Sequence, residues 1–135
     1  MPYQITEHTA DMRMNVEAQN LRQLFKDSIK GMLNTLKTEN PEANKTTVKR
    51  TIAVQSSDIT ALLIDTMNEV LSLAQIHRET YPKIFIRKLS KTAIVAELEG
   101  MKVEKFEKDI KAVTFHEANV EKKEGLWKTT IIFDI

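Results

Sequence analysis

The sequence contains no cysteine among its 135 residues. This absence excludes disulfide bonds, cysteine-ligated zinc and thiol nucleophiles, and it is compatible with a reducing compartment. Glycine is scarce as well: Gly31, Gly100 and Gly125 lie too far apart to form the phosphate-binding loop of nucleotide-binding enzymes. A nucleophile elbow is also absent from the sequence. We therefore expect a binding or accessory protein rather than an enzyme that acts alone.

The sequence has no strong excess of either charge, with 20 Lys and Arg against 19 Asp and Glu. A strongly cationic nucleic-acid binder would show a clear basic excess, so direct binding of RNA or DNA by this chain is not favoured. No apolar run approaches membrane-spanning length, and the first residues lack the basic and apolar regions of a leader. We predict one soluble, cytoplasmic domain over residues 1–135, with no membrane partner.

Hydrophobic periodicity predicts a strand followed by a helix near the start of the chain. Met12, Met14 and Val16 alternate with polar residues, as in a half-buried strand, and a shorter strand is predicted at residues 3–6. Asn20 then opens a helix, and Gln23 should reach back to it in a capping box. Apolar residues at spacings of three and four continue this helix, which should end before the proline at position 41.

A second helix should begin at Ser57 or Asp58 and run to about Ala74 or beyond. Its apolar stripe is wide, which predicts packing on more than one side, and Pro82 should mark the exit from the helix. The remaining strand candidates before the last hairpin are residues 45–55, 83–89 and 92–99, the last closed by Gly100.

The chain closes with a predicted β-hairpin, in which residues 111–116 and the strand ending at Ile135 flank a turn that contains Gly125. If the turn is centred between Lys123 and Glu124, Lys111 lies within a residue or two of the chain end. The whole order of elements predicts an α+β fold. Two helices would pack on a mainly antiparallel sheet, divided into two parts, with a C-terminal hairpin.

The hairpin brings one ammonium and two carboxylates together: Lys111, the Asp134 side chain and the terminal carboxylate of Ile135. Asp11 is a candidate third carboxylate. Clustered carboxylates repel one another and require a cation, and an all-oxygen ligand set suits Ca²⁺ or Mg²⁺. Pattern alone favours the simpler alternative, in which Asp11 caps a turn and Asp134 is a solvated strand end.

Four further residues could contribute chemistry: Glu7, His8, Glu69 and His116. The histidines lack the spacing of a zinc motif and fit ordinary turn or surface roles. Glu69 or His8 could serve as the water-activating base of a metal-dependent phosphoesterase. That enzyme remains an alternative to the accessory role.

Four blocks of the sequence, in order and in a chain of the family's overall length, resemble those of the archease family. They are residues 7–11 (Glu-His-Thr-Ala-Asp), 62–71 (Leu-Leu-Ile-Asp-Thr-Met-Asn-Glu-Val-Leu), 111–116 (Lys-Ala-Val-Thr-Phe-His) and 133–135 (Phe-Asp-Ile). Each block alone is weak, but together they are specific and cover nearly the whole chain.

The resemblance implies an accessory factor of the GTP-dependent, RtcB-type RNA ligase of tRNA splicing and RNA repair. It would promote guanylation and repeated turnover of the ligase and would meet RNA only through it. The family's metal site corresponds to Asp11, Asp134 and Ile135, with Ca²⁺ expected first and Mg²⁺ or Mn²⁺ as alternatives. Asp11, Lys111 and Asp134 would be required for activation. A general chaperone or protein-interaction module is a further alternative.

Overall fold

The computed structural model describes residues 11–36, 38–41 and 47–135, and the strand predicted at residues 3–6 lies outside these ranges. The two helices are α1 (Leu21–Leu36) and α2 (Ile59–His77). The strands are β1 (Asp11–Ala18), β2 (Thr38–Pro41), β3 (Thr47–Gln55), β4 (Glu79–Leu89), β5 (Ala93–Phe106), β6 (Ala112–Thr114), β7 (Glu121–Lys123) and β8 (Leu126–Asp134).

The strands form two antiparallel sheets. In the C-terminal sheet, β8 lies between β1 on one side and β6 on the other, and β7 pairs with the start of β8. In the central sheet, β5 pairs with β2, β3 and β4. The predicted α+β fold, with two helices and a sheet divided into two parts, is therefore confirmed.

Helix α1 begins as its sequence predicts, but one detail of its cap differs. The Asn20 side chain accepts a hydrogen bond from the Gln23 backbone N–H at 2.8 Å. The Gln23 side chain does not reach back to Asn20; it donates to Asp27 at 2.7 Å, one helical turn further along. The predicted capping box is thus wrong, because an aspartate four residues on is within reach of the same amide.

Helix α2 packs into the hydrophobic core. Asp58, one of the two predicted caps, accepts a hydrogen bond from the Ala61 N–H at 2.8 Å, and Arg78 ends the helix in a left-handed conformation. By length and composition alone α2 could cross a membrane, but 44% of its apolar window is buried inside the molecule, as in a core helix. Its apolar residues lie in the hydrophobic core, on more than one side of the helix as predicted.

Strand β5 is longer than predicted, because Gly100 lies inside it rather than at its end. A Cβ at Gly100 would stand 1.7 Å from the Thr80 carbonyl oxygen, so β4 and β5 approach closely at this point. Pro82 lies within β4, where the register with β5 shifts between Thr80 and Lys83, and it does not mark the exit from α2. A bulge tolerates proline because one ladder hydrogen bond is missing there.

The closing hairpin is present, with its turn one residue later than predicted. Glu124 and Gly125 form the turn, with φ values of 53° and 80°, as two-residue hairpin turns require. The incoming strand is interrupted: β6 and β7 are separated by the β6–β7 loop, residues 115–120. In the resulting register Ala112 lies opposite Asp134, which leaves Lys111 beside the end of β8.

Candidate functional site

Asp11 and Asp134 lie directly opposite each other at one end of the C-terminal sheet. Residues opposed in an antiparallel pair project from the same face, so the two carboxylates share one face at this end. Both residues are exposed. The predicted pairing of these aspartates in space is thus a feature of the strand register, which residue spacing alone could not establish.

Lys111 joins this end of the sheet through its backbone. Its N–H donates to the Asp134 carbonyl oxygen at 2.7 Å, and its side chain is exposed. Within the described ranges, the side chains of Asp11, Asp134 and Lys111 form no hydrogen bond or ion pair with one another or with a further residue. We call these three residues, together with Ile135, the charged end of the sheet. As far as the described residues show, its two carboxylates and its ammonium are available to a ligand or a partner.

The charged end offers the donor chemistry of a cation site. Like charges directly opposite each other on a sheet are unfavourable unless something neutralises them. A divalent ion would do so, and two carboxylates with a further oxygen donor suit Ca²⁺ or Mg²⁺. His, Cys, Asp and Glu side chains of the described residues form no group of three or more that could hold a metal ion. A third donor would therefore have to come from outside these side chains.

In the described part of the chain, neither Glu69 nor His116 is bonded to the charged end. Glu69 is exposed on α2 and forms no hydrogen bond or ion pair with Asp11, Lys111 or Asp134. His116 lies in the β6–β7 loop, where its Nε2 is 3.6 Å from a Glu117 carboxylate oxygen and its side chain is 73% exposed. Glu7 and His8 lie outside the described residues.

Sequence reasoning missed an ion pair that crosses the C-terminal sheet next to the charged end. Arg13 on β1 donates two hydrogen bonds to Glu117 of the β6–β7 loop, one of them 2.7 Å long. These hydrogen bonds raise the pKa of Arg13 and lower the pKa of Glu117. The pair crosses β8 at the level of Ile132, which is only 2% exposed. No sequence signal links Arg13 to Glu117, because their proximity depends on the loop.

Beyond this ion pair, the same face of the sheet forms an open, polar pocket of about 450 Å³. The Thr130 hydroxyl donates to the Asn15 side chain at 2.8 Å, and Lys128 lies 3.8 Å from Glu17. The carboxylates that line the pocket are already paired with cations. The pocket therefore has no preference for a positively or a negatively charged ligand. The pocket is lined by Asn15, Val16, Glu17, Glu117, Asn119, Glu121, Lys128, Thr129 and Thr130.

Comparison with known proteins gives one consistent result. The model of the archease protein family matches residues 3–135. The archease of Methanosarcina mazei is 27% identical over 141 residues, which cover 98% of this chain and 95% of that protein. The archease of Methanopyrus kandleri is 24% identical over 148 residues and the full length of both proteins.

Two solved structures share the fold. A crystal structure from Thermotoga maritima, described as an archease and possible chaperone, has a TM-score of 0.69 at 19% identity and covers 95% of this chain and 93% of its own. The solution structure of protein 1598 from Methanobacterium thermoautotrophicum has a TM-score of 0.67 at 23% identity, with 94% of each chain covered. At these identities the structures establish the fold alone.

Proposed function

The chain belongs to the archease family, and we propose that it is the accessory protein of a GTP-dependent, RtcB-type RNA ligase in tRNA splicing and RNA repair. The observation that carries this proposal is the charged end of the C-terminal sheet. There Asp11 lies opposite Asp134, and Lys111 is hydrogen-bonded to the backbone beside them. Charges that have no hydrogen-bond or ion-pair partner among the described residues, concentrated at one exposed end, suit a protein that works on a partner's site.

The charged end would act on the nucleotide site of the ligase. Asp11, Asp134 and Ile135 would hold a divalent ion, with Ca²⁺ favoured over Mg²⁺ or Mn²⁺, and that ion would supply positive charge toward phosphate oxygens. Lys111 would supply a second cation from the adjacent strand. The paired strands β1, β8 and β6 would keep these residues at fixed separations while the ligase binds GTP. Such preorganisation lowers the entropy cost of placing charges around a reacting group.

In this proposal the chain performs no covalent step of its own. The ligase becomes guanylated and seals the RNA, and the accessory protein accelerates guanylation and allows repeated turnover in the cytoplasm. A phosphoesterase would require a base near the metal, and Glu69 forms no hydrogen bond or ion pair with Asp11, Lys111 or Asp134 in the described part of the chain. The description of the Thermotoga maritima relative as a possible chaperone supports the broader idea of a protein that acts on protein partners.

The test is a ligation assay with a cognate ligase, GTP and RNA that carries a 3′-phosphate. Asp11→Ala, Lys111→Ala and Asp134→Ala should each abolish stimulation of ligase turnover while the fold survives, because substitutions at exposed sites change stability little. Lys123→Ala, at the turn of the same hairpin, is the matched control and should stimulate normally. Full stimulation by all three variants of the charged end would refute the proposal.

Metal binding is tested separately by calorimetry on the protein alone. Ca²⁺ should bind to the native chain, and Asp11→Asn and Asp134→Asn should weaken binding because each removes one carboxylate. One residue added after Ile135 should weaken it as well, since the added peptide bond removes a carboxylate at that position. If the extended protein binds Ca²⁺ and activates the ligase normally, Ile135 does not contribute a ligand.

A general chaperone makes different predictions in the same experiments. It would bind several unrelated unfolded proteins, and Asp134→Ala would leave that binding unchanged. Loss of ligase stimulation in Asp134→Ala, with no effect on aggregation of unrelated proteins, would separate the dedicated accessory role from the general one.

A further inference from the structure

Helix α2 contacts the strand beside Lys111 through an unusual pair of hydrogen bonds. The Asn68 side-chain amide donates to the Val113 carbonyl oxygen at 2.8 Å, and its oxygen accepts from the Val113 N–H at 2.8 Å. One carboxamide thus satisfies both backbone groups of a residue in β6, as a neighbouring strand would do. The same amide also lies 3.2 Å from the Ile64 carbonyl oxygen, within its own helix.

A second carboxamide of α2 fixes the chain on the other side of Lys111. Gln75, about two helical turns after Asn68, donates to the Ile110 carbonyl oxygen at 2.8 Å. It also lies within 3.3 Å of the Asp109 side chain. The side chains at both anchor points are buried, with Ile110 0% and Val113 3% exposed. Lys111 and Ala112 therefore lie between two points that are tied to the core helix.

Strand β6 would be a weak support without these ties. It is only three residues long and pairs with the last part of β8. A strand this short opens readily, because few hydrogen bonds must break. Helix α2, by contrast, has eight buried residues and lies in the core. Attachment to α2 therefore gives Lys111 the rigidity of the core.

We propose that Asn68 and Gln75 are positioning residues that hold the Lys111 backbone against Asp134. This inference rests on the proposed function, because it concerns how Lys111 is presented to the ligase. A carboxamide is needed at position 68 because both a donor and an acceptor must face Val113. An alanine there would leave the Val113 N–H and carbonyl without a partner from α2, and the Lys111–Asp134 hydrogen bond would open more often.

The first measurement is amide hydrogen exchange at Lys111 in the protein alone. Asn68→Ala and Gln75→Ala should each speed exchange of the Lys111 amide about tenfold, the factor that corresponds to loss of a typical hydrogen bond. Exchange in β1 and in the middle of α2 should change much less. Unchanged exchange at Lys111 in both variants would overturn the inference, whether or not the chain activates a ligase.

The second measurement is ligase stimulation at a temperature where every variant is fully folded. Asn68→Ala and Gln75→Ala should lower stimulation at saturating protein about tenfold, since the ammonium is then held less firmly. Thr60→Val is the matched control. It removes a different hydrogen bond between an α2 side chain and the backbone, because the Thr60 hydroxyl accepts from the Val120 N–H at 3.0 Å. That bond lies away from Lys111. A purely structural role would leave stimulation by the folded variants unchanged.

The two measurements separate failure of this inference from failure of the proposed function. If Lys111→Ala stimulates normally, the proposed role of Lys111 is wrong, and the exchange data alone then decide whether Asn68 and Gln75 hold its backbone. If Lys111→Ala is inactive and the folded Asn68→Ala and Gln75→Ala variants stimulate as well as the native chain, the positioning role is wrong. Equal losses in Thr60→Val would also contradict it.

Discussion

Glu79 is fully buried and accepts two hydrogen bonds from the Arg50 guanidinium, at 2.9 and 2.7 Å. The buried Tyr81 hydroxyl donates a third bond to the same carboxylate at 2.8 Å, and the Lys102 ammonium lies 3.8 Å away. This cluster joins β3, β4 and β5 beside the end of α2. A buried carboxylate requires such partners, because an unpaired charge in the interior is strongly unfavourable.

We expect Glu79→Gln to destabilise the protein by about 3 kcal/mol, because it leaves the Arg50 and Lys102 charges without a carboxylate. The value lies at the low end for a buried pair, since the Arg50 side chain is 32% exposed. Urea unfolding measures the change. Glu97→Gln is the matched control: it breaks a pair with Arg87 whose side chains are 41% and 54% exposed, and should matter far less. Equal effects would show that burial adds nothing to the Glu79 pair.

The same carboxylate should make the native protein sensitive to acid. Burial opposes ionisation of Glu79, but the hydrogen bonds from Arg50 and Tyr81, with the nearby cationic charges, outweigh it and lower its pKa below the usual 4.5. A lowered pKa stabilises the folded state above pH 4.5, and this contribution is lost as the pH falls through the lower, folded-state pKa. The free energy of unfolding should therefore fall more steeply with acid in the native protein than in Glu79→Gln. If the free energy of unfolding depends on pH in the same way in both proteins, the pKa of Glu79 is not lowered by folding.

Local sequence signals identified the elements whose stabilising contacts lie nearby in the chain. Asn20 and Asp58 cap their helices through residues three positions away, and the alternation of Met12, Met14 and Val16 predicts β1. Asp11 and Asp134 became candidates through residue type and family resemblance. Their direct opposition depends on the register of β1 with β8, which only the fold determines.

Features that depend on distant contacts were not predictable. Strand β2 and the second half of β5 exist because they pair with each other, although neither has a clear alternating pattern. Gly100 resembled a strand end, but in the fold it permits the close approach of β4. The Asn68 contacts with Val113 were missed for the same reason, because a polar residue on a helix gives no indication of which backbone it will meet.

Two buried hydroxyls offer a route to a more stable protein. Ser28 on α1 and Thr66 on α2 are fully buried, and neither hydroxyl has a hydrogen-bond partner among the described residues. We expect Ser28→Ala to raise the free energy of unfolding by about 1 kcal/mol, since it removes an unsatisfied polar group and alanine favours helix.

Thr66→Val should be stabilising for the same reason, with nearly unchanged volume. Thr35→Val is the control, because its hydroxyl donates to the Gly31 carbonyl oxygen at 2.9 Å and its loss should bring no comparable gain. Thermal unfolding of the three variants decides the matter. Destabilisation by Ser28→Ala would show that its hydroxyl is satisfied in solution, for example by a buried water.

Alanine should destabilise the protein at two glycines, but to different degrees and for different physical reasons. A Cβ at Gly100 would lie 1.7 Å from the Thr80 carbonyl oxygen and 2.8 Å from the Tyr81 Cα, and backbone atoms cannot move aside without disturbing the β4–β5 ladder. We expect Gly100→Ala to cost about 3 kcal/mol, as overpacking of a rigid site does. Because Tyr81 also donates to Glu79, the variant should loosen the buried ion-pair cluster.

Gly125 is the matched position, because a Cβ there would meet no atom within 4 Å. Alanine is unfavourable there because the φ of Gly125 is +80°, and this left-handed conformation costs an alanine about 1 kcal/mol. Urea unfolding of both variants separates steric overlap from backbone strain. If Gly100→Ala costs no more than Gly125→Ala, the close approach of β4 and β5 is not rigid, and the bulge at Pro82 can shift to admit a methyl group.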